Sequence, residues 1–163
     1  MTDHARPFLD RLDAAEERLS RLAEVPAPNG LTEPDEPSGE RWEWGQVWAH
    51  LAEFPDYWIA QVRNGLSRRD TRPPPFGRTK TDPARIQAIE RDRRVPPPEL
   101  MDRIRPQLVD LRDLLTQMSP DDWGTTVAHS TLGAMGMDRV VEEFLVGHLE
   151  AHAAQLDALV ERS

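Results

Sequence analysis

Two histidines, His148 and His152, stand four residues apart near the end of the sequence, and a third, His50, lies far upstream of them. On a helix a gap of four puts two side chains on one face, one turn apart. Two imidazoles placed this way can share one metal ion, and a third imidazole from a neighbouring helix can close the site. Three protein nitrogens with one position left open is the arrangement of a catalytic metal site rather than a closed structural one. The competing explanation is a set of core histidines, each satisfied by a backbone carbonyl or a carboxylate. Two neutral imidazoles in one apolar stripe are costly unless something satisfies both. A metal does so and uses imidazole in the neutral form that ligates. The remaining histidines, His4 and His129, fall in a terminus and a loop, where exposure is expected.

The neighbours of these residues suggest supporting roles. Glu53 follows His50 by three positions, one helical turn, and suits either an acceptor behind the imidazole or a general base. Tyr57, the single tyrosine, lies a further turn along the same side. The segment 67–81 carries Arg68, Arg69, Arg72, Arg78 and Lys80 in an otherwise acidic chain, and such a loop could attract an anionic thiol or substrate. With no cysteine in the sequence, disulfides, thiolate ligands and cysteine nucleophiles are excluded. Neutral imidazole ligands leave a divalent ion its full charge. Such an ion activates either water or a thiol, and any thiol must come from a cofactor. Metal-activated thiol attack and metal-dependent hydrolysis both fit these constraints, and the sequence does not separate them.

The elements that must position these residues read as helices. Phe8, Leu12, Ala15, Leu19 and Leu22 recur at helical spacing over roughly 4–24, with Asp3 as cap and Pro7 in the first turn. A proline- and acid-rich loop, 26–40, follows. A second helix runs from about 41 to 65, with Val47, Leu51, Phe54 and Trp58 on one face and His50 at or near it; Pro55 should kink it just after His50. After the basic loop, Asp82-Pro83 opens a short helix reaching about Arg94. A third long helix spans about 98–118, its seam formed by Ile104, Leu108, Leu111, Leu115 and Met118, with Pro106 inside it. Ser119 to Trp123 reads as a capped single turn and 125–136 as an irregular or extended link. The last helix, 138–162 with Asp138 as cap, carries both C-terminal histidines in the middle of a broad apolar face. The expected class is all-α, a four-helix bundle formed by one domain over 1–163. The connection between the second and third long helices is long enough to permit a crossover.

Composition bounds the partners. A formal net charge of −9 argues against a general nucleic-acid or anionic-membrane binder. No apolar run reaches the length of a membrane span, and the polar start Met1-Thr2-Asp3-His4 has no secretory character, so a cytoplasmic protein is expected. Trp42, Trp44 and Trp48 spread over more than half the circumference of their helix, which suggests that some rings face a second subunit or are covered by the 26–40 loop.

The segment Trp42-Glu-Trp44-Gly-Gln-Val47-Trp-Ala-His50-Leu51-Ala-Glu53 resembles the first motif of the DinB/YfiT-like superfamily of metalloenzymes, a family distinct from the DNA polymerase of similar name. His148-Leu-Glu-Ala-His152-Ala-Ala-Gln155-Leu156 resembles its C-terminal motif, and the Ser119–Trp123 turn and the Gly133/Gly136 region match in position. The resemblance spans nearly the whole chain and implies a DinB-like bundle of up-down-down-up order. It also implies a divalent metal, zinc or nickel above all, on His50, His148 and His152, and a homodimer. Members with known activity transfer low-molecular-weight thiols such as mycothiol, bacillithiol or glutathione to electrophilic small molecules. The implied function is therefore a metal-dependent thiol S-transferase, with a metal-dependent hydrolase or a non-catalytic binding bundle as alternatives. The related mycothiol-dependent maleylpyruvate isomerases carry His-x2-Asp in the last helix where this chain has His-x3-His. Pro55 departs from the pattern.

Overall fold

A computed structural model describes residues 3–36, 38–69 and 72–163. Four long helices form the bundle: α1 (Arg6–Leu22), α2 (Trp44–Ser67), α4 (Pro97–Gln117) and, after two short stretches, α7 (Val146–Glu161). A short α3 (Pro83–Asp92) packs on α2, and a single turn, α5 (Pro120–Trp123), follows α4. The last helix begins with α6 (Met137–Val140), which passes through a π-helical turn at Val141–Leu145 into α7.

The order of the long helices follows from their cross-links. Arg11 pairs with Glu150 and Arg18 with Asp157, so residue numbers rise together and α1 runs parallel to α7. Asp56 meets Gln107 and Arg63 meets Asp110, so α2 runs parallel to α4. His50 faces His148 while Trp58, two turns on, stacks with Phe144, so α2 and α7 are antiparallel. Helix α1 also packs on α4, which leaves α1 and α2 on opposite corners of the bundle. This is the up-down-down-up order, with the crossover between α2 and α4. The interior is filled by fully buried residues such as Leu12, Leu19, Trp48, Leu51, Leu108 and Leu115. No helix among the described residues is long and apolar enough to cross a membrane.

Pro55 lies inside α2, where it removes one backbone donor. The ladder beside it is opened and filled by a side chain from α4. Gln107 donates from Nε2 to the Ala52 carbonyl at 2.8 Å and accepts from the Asp56 N–H at 3.0 Å. A primary amide offers a donor and an acceptor together, so it satisfies both backbone groups at once. The insertion sits between His50 and Trp58, the two residues of α2 that face the site.

Several local expectations hold and several do not. Asp82 caps α3, accepting from the Arg85 N–H, and Ser119 and Asp122 close a capping box on α5. Asp3 and Asp138 are not caps. Helix α1 starts from Ala5 and α6 from Gly136, neither with a side-chain cap, and Asp138 instead pairs with His4. Of the two readings of the link after α5 the extended one holds, with pairing that the sequence did not show: β2 (Thr126–His129) and β3 (Gly133–Gly136) form an antiparallel hairpin, and β1 (Pro75–Phe76) joins β2 in parallel. All five tryptophans are buried within the single chain, so the ring count supplies no argument for a second subunit. Trp42 is held by the 26–40 loop, whose Thr32 exchanges hydrogen bonds with the Trp42 backbone at 2.8 and 2.9 Å.

Candidate metal centre

Helix α2 supplies His50 and α7 supplies His148 and His152, and the antiparallel packing of the two brings the imidazoles to one point. The Nε2 atom of His148 lies 3.0 Å from that of His50 and 3.1 Å from that of His152. Three ring nitrogens so close cannot all be satisfied by one another, because an N–H to lone-pair contact uses one donor for each acceptor. About 3 Å is also the edge that adjacent ligands span around an ion bound at ~2.0–2.1 Å. A cavity of about 60 Å³ touches all three rings and offers room for such an ion.

The far side of two of the rings fixes the tautomer. Gln155, three residues beyond His152, accepts from its Nδ1 at 2.6 Å. Glu53, three residues beyond His50, places an oxygen 2.7 Å from Nδ1, although out of line with the ring N–H. Both arrangements put the proton on Nδ1 and leave the Nε2 lone pair pointing at the shared centre, the form that binds a metal. Burial drives all three rings toward neutrality. It depresses the pKa of His152 to about 4 and those of His50 and His148 well below the ordinary histidine range, with mutual repulsion adding to the last two. Phe54 packs edge-on against His148 at 4.6 Å between centroids and Trp42 lies 5.1 Å from His50, so aromatic rings hold the cluster in place.

The Glu53 side chain is only 7% exposed and is bound by that of Arg78, whose Nη2 donates to Oε2 at 2.7 Å. Burial raises the carboxyl pKa and the Arg78 hydrogen bonds oppose that rise. With Oε2 at 2.7 Å from both His50 Nδ1 and Arg78 Nη2, and Oε1 bonded to Arg78 as well, Glu53 is an orienting group rather than a free base. The Tyr57 ring lies under the Arg78 guanidinium at 4.1 Å and is outside the walls of the cleft over the histidines.

That cleft, of about 650 Å³, opens over His50 and His148. The 67–81 loop does reach it, through Arg78 and Lys80, but not as free positive charge. Arg78 pairs with Glu53 and Asp82, Lys80 with Asp35, and away from the cleft Arg69 pairs with Asp122. Asp70 and Thr71 of this loop lie outside the described residues. His129, expected at the surface, is buried on β2 and forms part of the cleft wall. Its Nδ1 accepts from the backbone N–H groups of Thr131 and Leu132, each at 3.2 Å, and its Nε2 donates to the Arg78 carbonyl at 3.1 Å. His4 is exposed as expected, stacked on Trp123. Sequence reasoning also missed Arg85, buried against Trp42 and bonded to Glu40 and the Lys80 carbonyl. The Gln155 role had a usable signal, since it repeats the three-residue offset between His50 and Glu53.

The π-helical turn sets the approach to the site. Phe144, within it, and His148, just after it, both line the cleft. A Cβ on Gly147 would fall 2.0 Å from the Glu142 carbonyl oxygen, so the close turn admits only glycine there.

A four-helix bundle with three imidazoles converging beneath a cleft defines a class, that of bundle proteins with a three-histidine cluster that could hold a metal ion. The chain belongs to the DinB superfamily, which it matches over residues 11–156. Among solved structures it is similar to YfiT from Bacillus subtilis, described as a probable metal-dependent hydrolase with an unusual four-helix bundle topology. The TM-score is 0.74 at 18% identity, covering 99% of this chain and 89% of that one. It is also similar to the mycothiol-dependent maleylpyruvate isomerase, with a TM-score of 0.66 at 15% identity over 96% of this chain and 63% of that one. A histidine-to-alanine variant of that isomerase gives 0.64 at 16% identity over the same shares. At these identities the likeness is one of fold. A comparison with curated proteins gives no match.

Proposed function

We propose that the chain is a metal-dependent enzyme in which His50, His148 and His152 hold a divalent ion, zinc or nickel, and the site directs a low-molecular-weight thiol onto an electrophilic small molecule. The observation that carries this reading is the convergence of three Nε2 atoms, two of them on buried histidines, beside an open cleft. The residues present fit the ion: the donors are imidazoles, His152 is held in the ligating tautomer by Gln155, and the cavity between them is lined by all three. Bound there, a divalent ion supplies Lewis acidity that lowers the pKa of a coordinated thiol or water.

The chain's own residues do the rest. Gln155 and Glu53 keep the rings aimed, Arg78 holds Glu53, and Phe54 and Trp42 pack against the rings. The absence of cysteine makes the reacting sulfur that of a cofactor. A metal-dependent hydrolase is the second reading, supported by the description of YfiT. Against it, Glu53 is already held by His50 and Arg78 and is not free to take a proton from water. The partners proposed are the thiol and the electrophile, with no nucleic acid or membrane. A homodimer belongs to the same proposal, and a monomer mass in light scattering across a dilution series would remove it.

Elemental analysis of protein purified without an affinity tag tests the site. One equivalent of metal is expected, with sharp loss in His152→Ala. Undiminished metal in all three single alanine variants would refute it. Zinc-loaded protein is then incubated with mycothiol, bacillithiol or glutathione and monochlorobimane. Metal-dependent conjugation supports the transferase, and none with any thiol would leave the hydrolase.

A further inference from the structure

The lining of the cleft over the histidines includes a slab of near-parallel rings. Trp58 stacks on Phe144 at 4.0 Å and 11°, and Phe144 stacks on His129 at 5.3 Å and 24°. Gly77, at φ +83°, is pressed against the edges of Trp58 and His129, where a Cβ would come within 2.7 Å of the Trp58 ring, so the slab is backed by main chain and fixed in place. Leu132, in the β2–β3 turn, extends this surface to the mouth and remains 38% exposed, one of few large apolar side chains so placed.

The cleft is also lined by Arg78, Lys80 and Arg85, each committed to an acid of the chain: Glu53, Asp35 and Glu40 respectively. Two further acids, Glu36 and Glu143, also line the cleft. An arriving anion would have to displace a carboxylate from a guanidinium or ammonium and would meet those acids on the way. The basic character of the 67–81 loop therefore does not translate into attraction for anions. We infer that this cleft takes a neutral, apolar group of about the size of an aromatic ring, laid against Trp58, Phe144 and Leu132 with its reactive end toward the histidines. This names the class of electrophile and rests on the metal-site reading above.

Hydroxamates separate the two. Zinc-loaded protein is titrated calorimetrically with acetohydroxamate, benzohydroxamate and 4-carboxybenzohydroxamate, which share one metal-binding head and differ in the group beyond it. Benzohydroxamate is expected to bind at least tenfold tighter than acetohydroxamate, from apolar area removed from water, and the added carboxylate is expected to bring no gain. In Phe144→Ala the ring preference should shrink at least threefold. Leu132→Ser, at an exposed turn, should reduce it in the same direction without threatening the fold. Equal binding of the methyl and phenyl probes would overturn the inference and leave the metal site standing. So would a tenfold gain from the carboxylate that disappears in Lys80→Ala. Retained zinc with no hydroxamate bound would overturn the cleft as a ligand site. Failure to retain zinc would remove the proposed function and this inference with it.

Discussion

Replacing Glu53 with alanine removes two interactions of different kinds, and their sizes can be separated. Toward the site, His50 loses the acceptor 2.7 Å from its Nδ1, and with it the bias that keeps the lone pair on Nε2. Loss of such an outer partner typically weakens metal binding ten- to a hundredfold, about 1.4–2.7 kcal/mol. Away from the site, Arg78, whose side chain is only 9% exposed, loses its nearer carboxylate and keeps only the longer contact to Asp82 at 3.7 Å, so the cost approaches that of a broken pair without reaching its top. Breaking one half of a buried pair costs about 3–5 kcal/mol of fold stability. Gln155→Ala is the matched control. It removes the acceptor behind His152 but orphans no charge, so its stability cost should be only about 0.5–1.5 kcal/mol while metal affinity again falls about tenfold. Glu53→Gln keeps an acceptor for His50 and discards the charge, so it should retain most of the affinity and lose much of the stability. Zinc affinity is read by competition with a chromophoric chelator and stability by unfolding of the metal-free protein. If Glu53→Ala is folded and binds zinc within twofold of the parent, the orienting role is wrong. If it is as stable as Gln155→Ala, the account of Arg78 is wrong.

Gly147→Ala would drive a Cβ into the Glu142 carbonyl, so the π turn must rearrange; a loss of about 1–3 kcal/mol is expected in denaturant unfolding, with lowered zinc stoichiometry as His148 is re-aimed, and an unchanged midpoint would refute it. Gln107→Leu keeps the volume but orphans the Asp56 N–H and the Ala52 carbonyl beside Pro55, for about 2–4 kcal/mol in a urea melt; a neutral result would mean that the opened ladder needs no plug. Acid should destabilise the metal-free protein early. Folding depresses the pKa of His152 to about 4, against about 6.5 in the unfolded chain, so the unfolded state binds the extra proton in that window. Stability is full above about 6.5 and falls as pH drops toward 4, by about 3 kcal/mol for His152 alone, with His50 and His148 adding in the same direction. A melting temperature flat between pH 6.5 and 4.5 would contradict the neutral, buried state of the cluster.

What was legible in the sequence was carried by periodicity and by residue chemistry acting over one turn. The apolar seam of α4, the cap at Asp82 and the box at Ser119 are local and survive into the structure. The three histidines were legible because two share a helix face and the third lies on another apolar stripe. The features missed are those that local pattern does not encode. Strands of two to four residues, such as Pro75–Phe76, are too short to show an alternation, and β1 exists only because β2 passes beside it. His129 read as a loop residue because its burial depends on that sheet. A π turn adds one residue to a helix without leaving a periodic signature, and Gly147 is its single local trace. Asp3 and Asp138 had cap chemistry, but Asp138 found a stronger partner in His4. The tryptophans left two readings open, a second subunit or cover by the 26–40 loop; that loop holds Trp42 through Thr32, and α3 packs on α2, neither of which ring spacing encodes.

The topology and the site are linked through direction. Since α2 and α7 are antiparallel, an acceptor three residues beyond its histidine points one way on α2 and the opposite way on α7. Glu53 and Gln155 therefore brace the cluster from opposite sides, and neither competes for the centre. Their chemistry is unequal for a reason that the neighbours supply. A carboxylate behind an imidazole makes it a better donor but also lowers the net positive charge of the site, which would blunt a Lewis acid. Here Arg78 returns that charge at a hydrogen-bond distance of 2.7 Å, and the acceptor behind His152 is a neutral amide. The three imidazoles are thus held in a way that would leave a bound divalent ion close to its full charge, and His129, by fixing the Arg78 carbonyl, anchors the residue on which that balance depends.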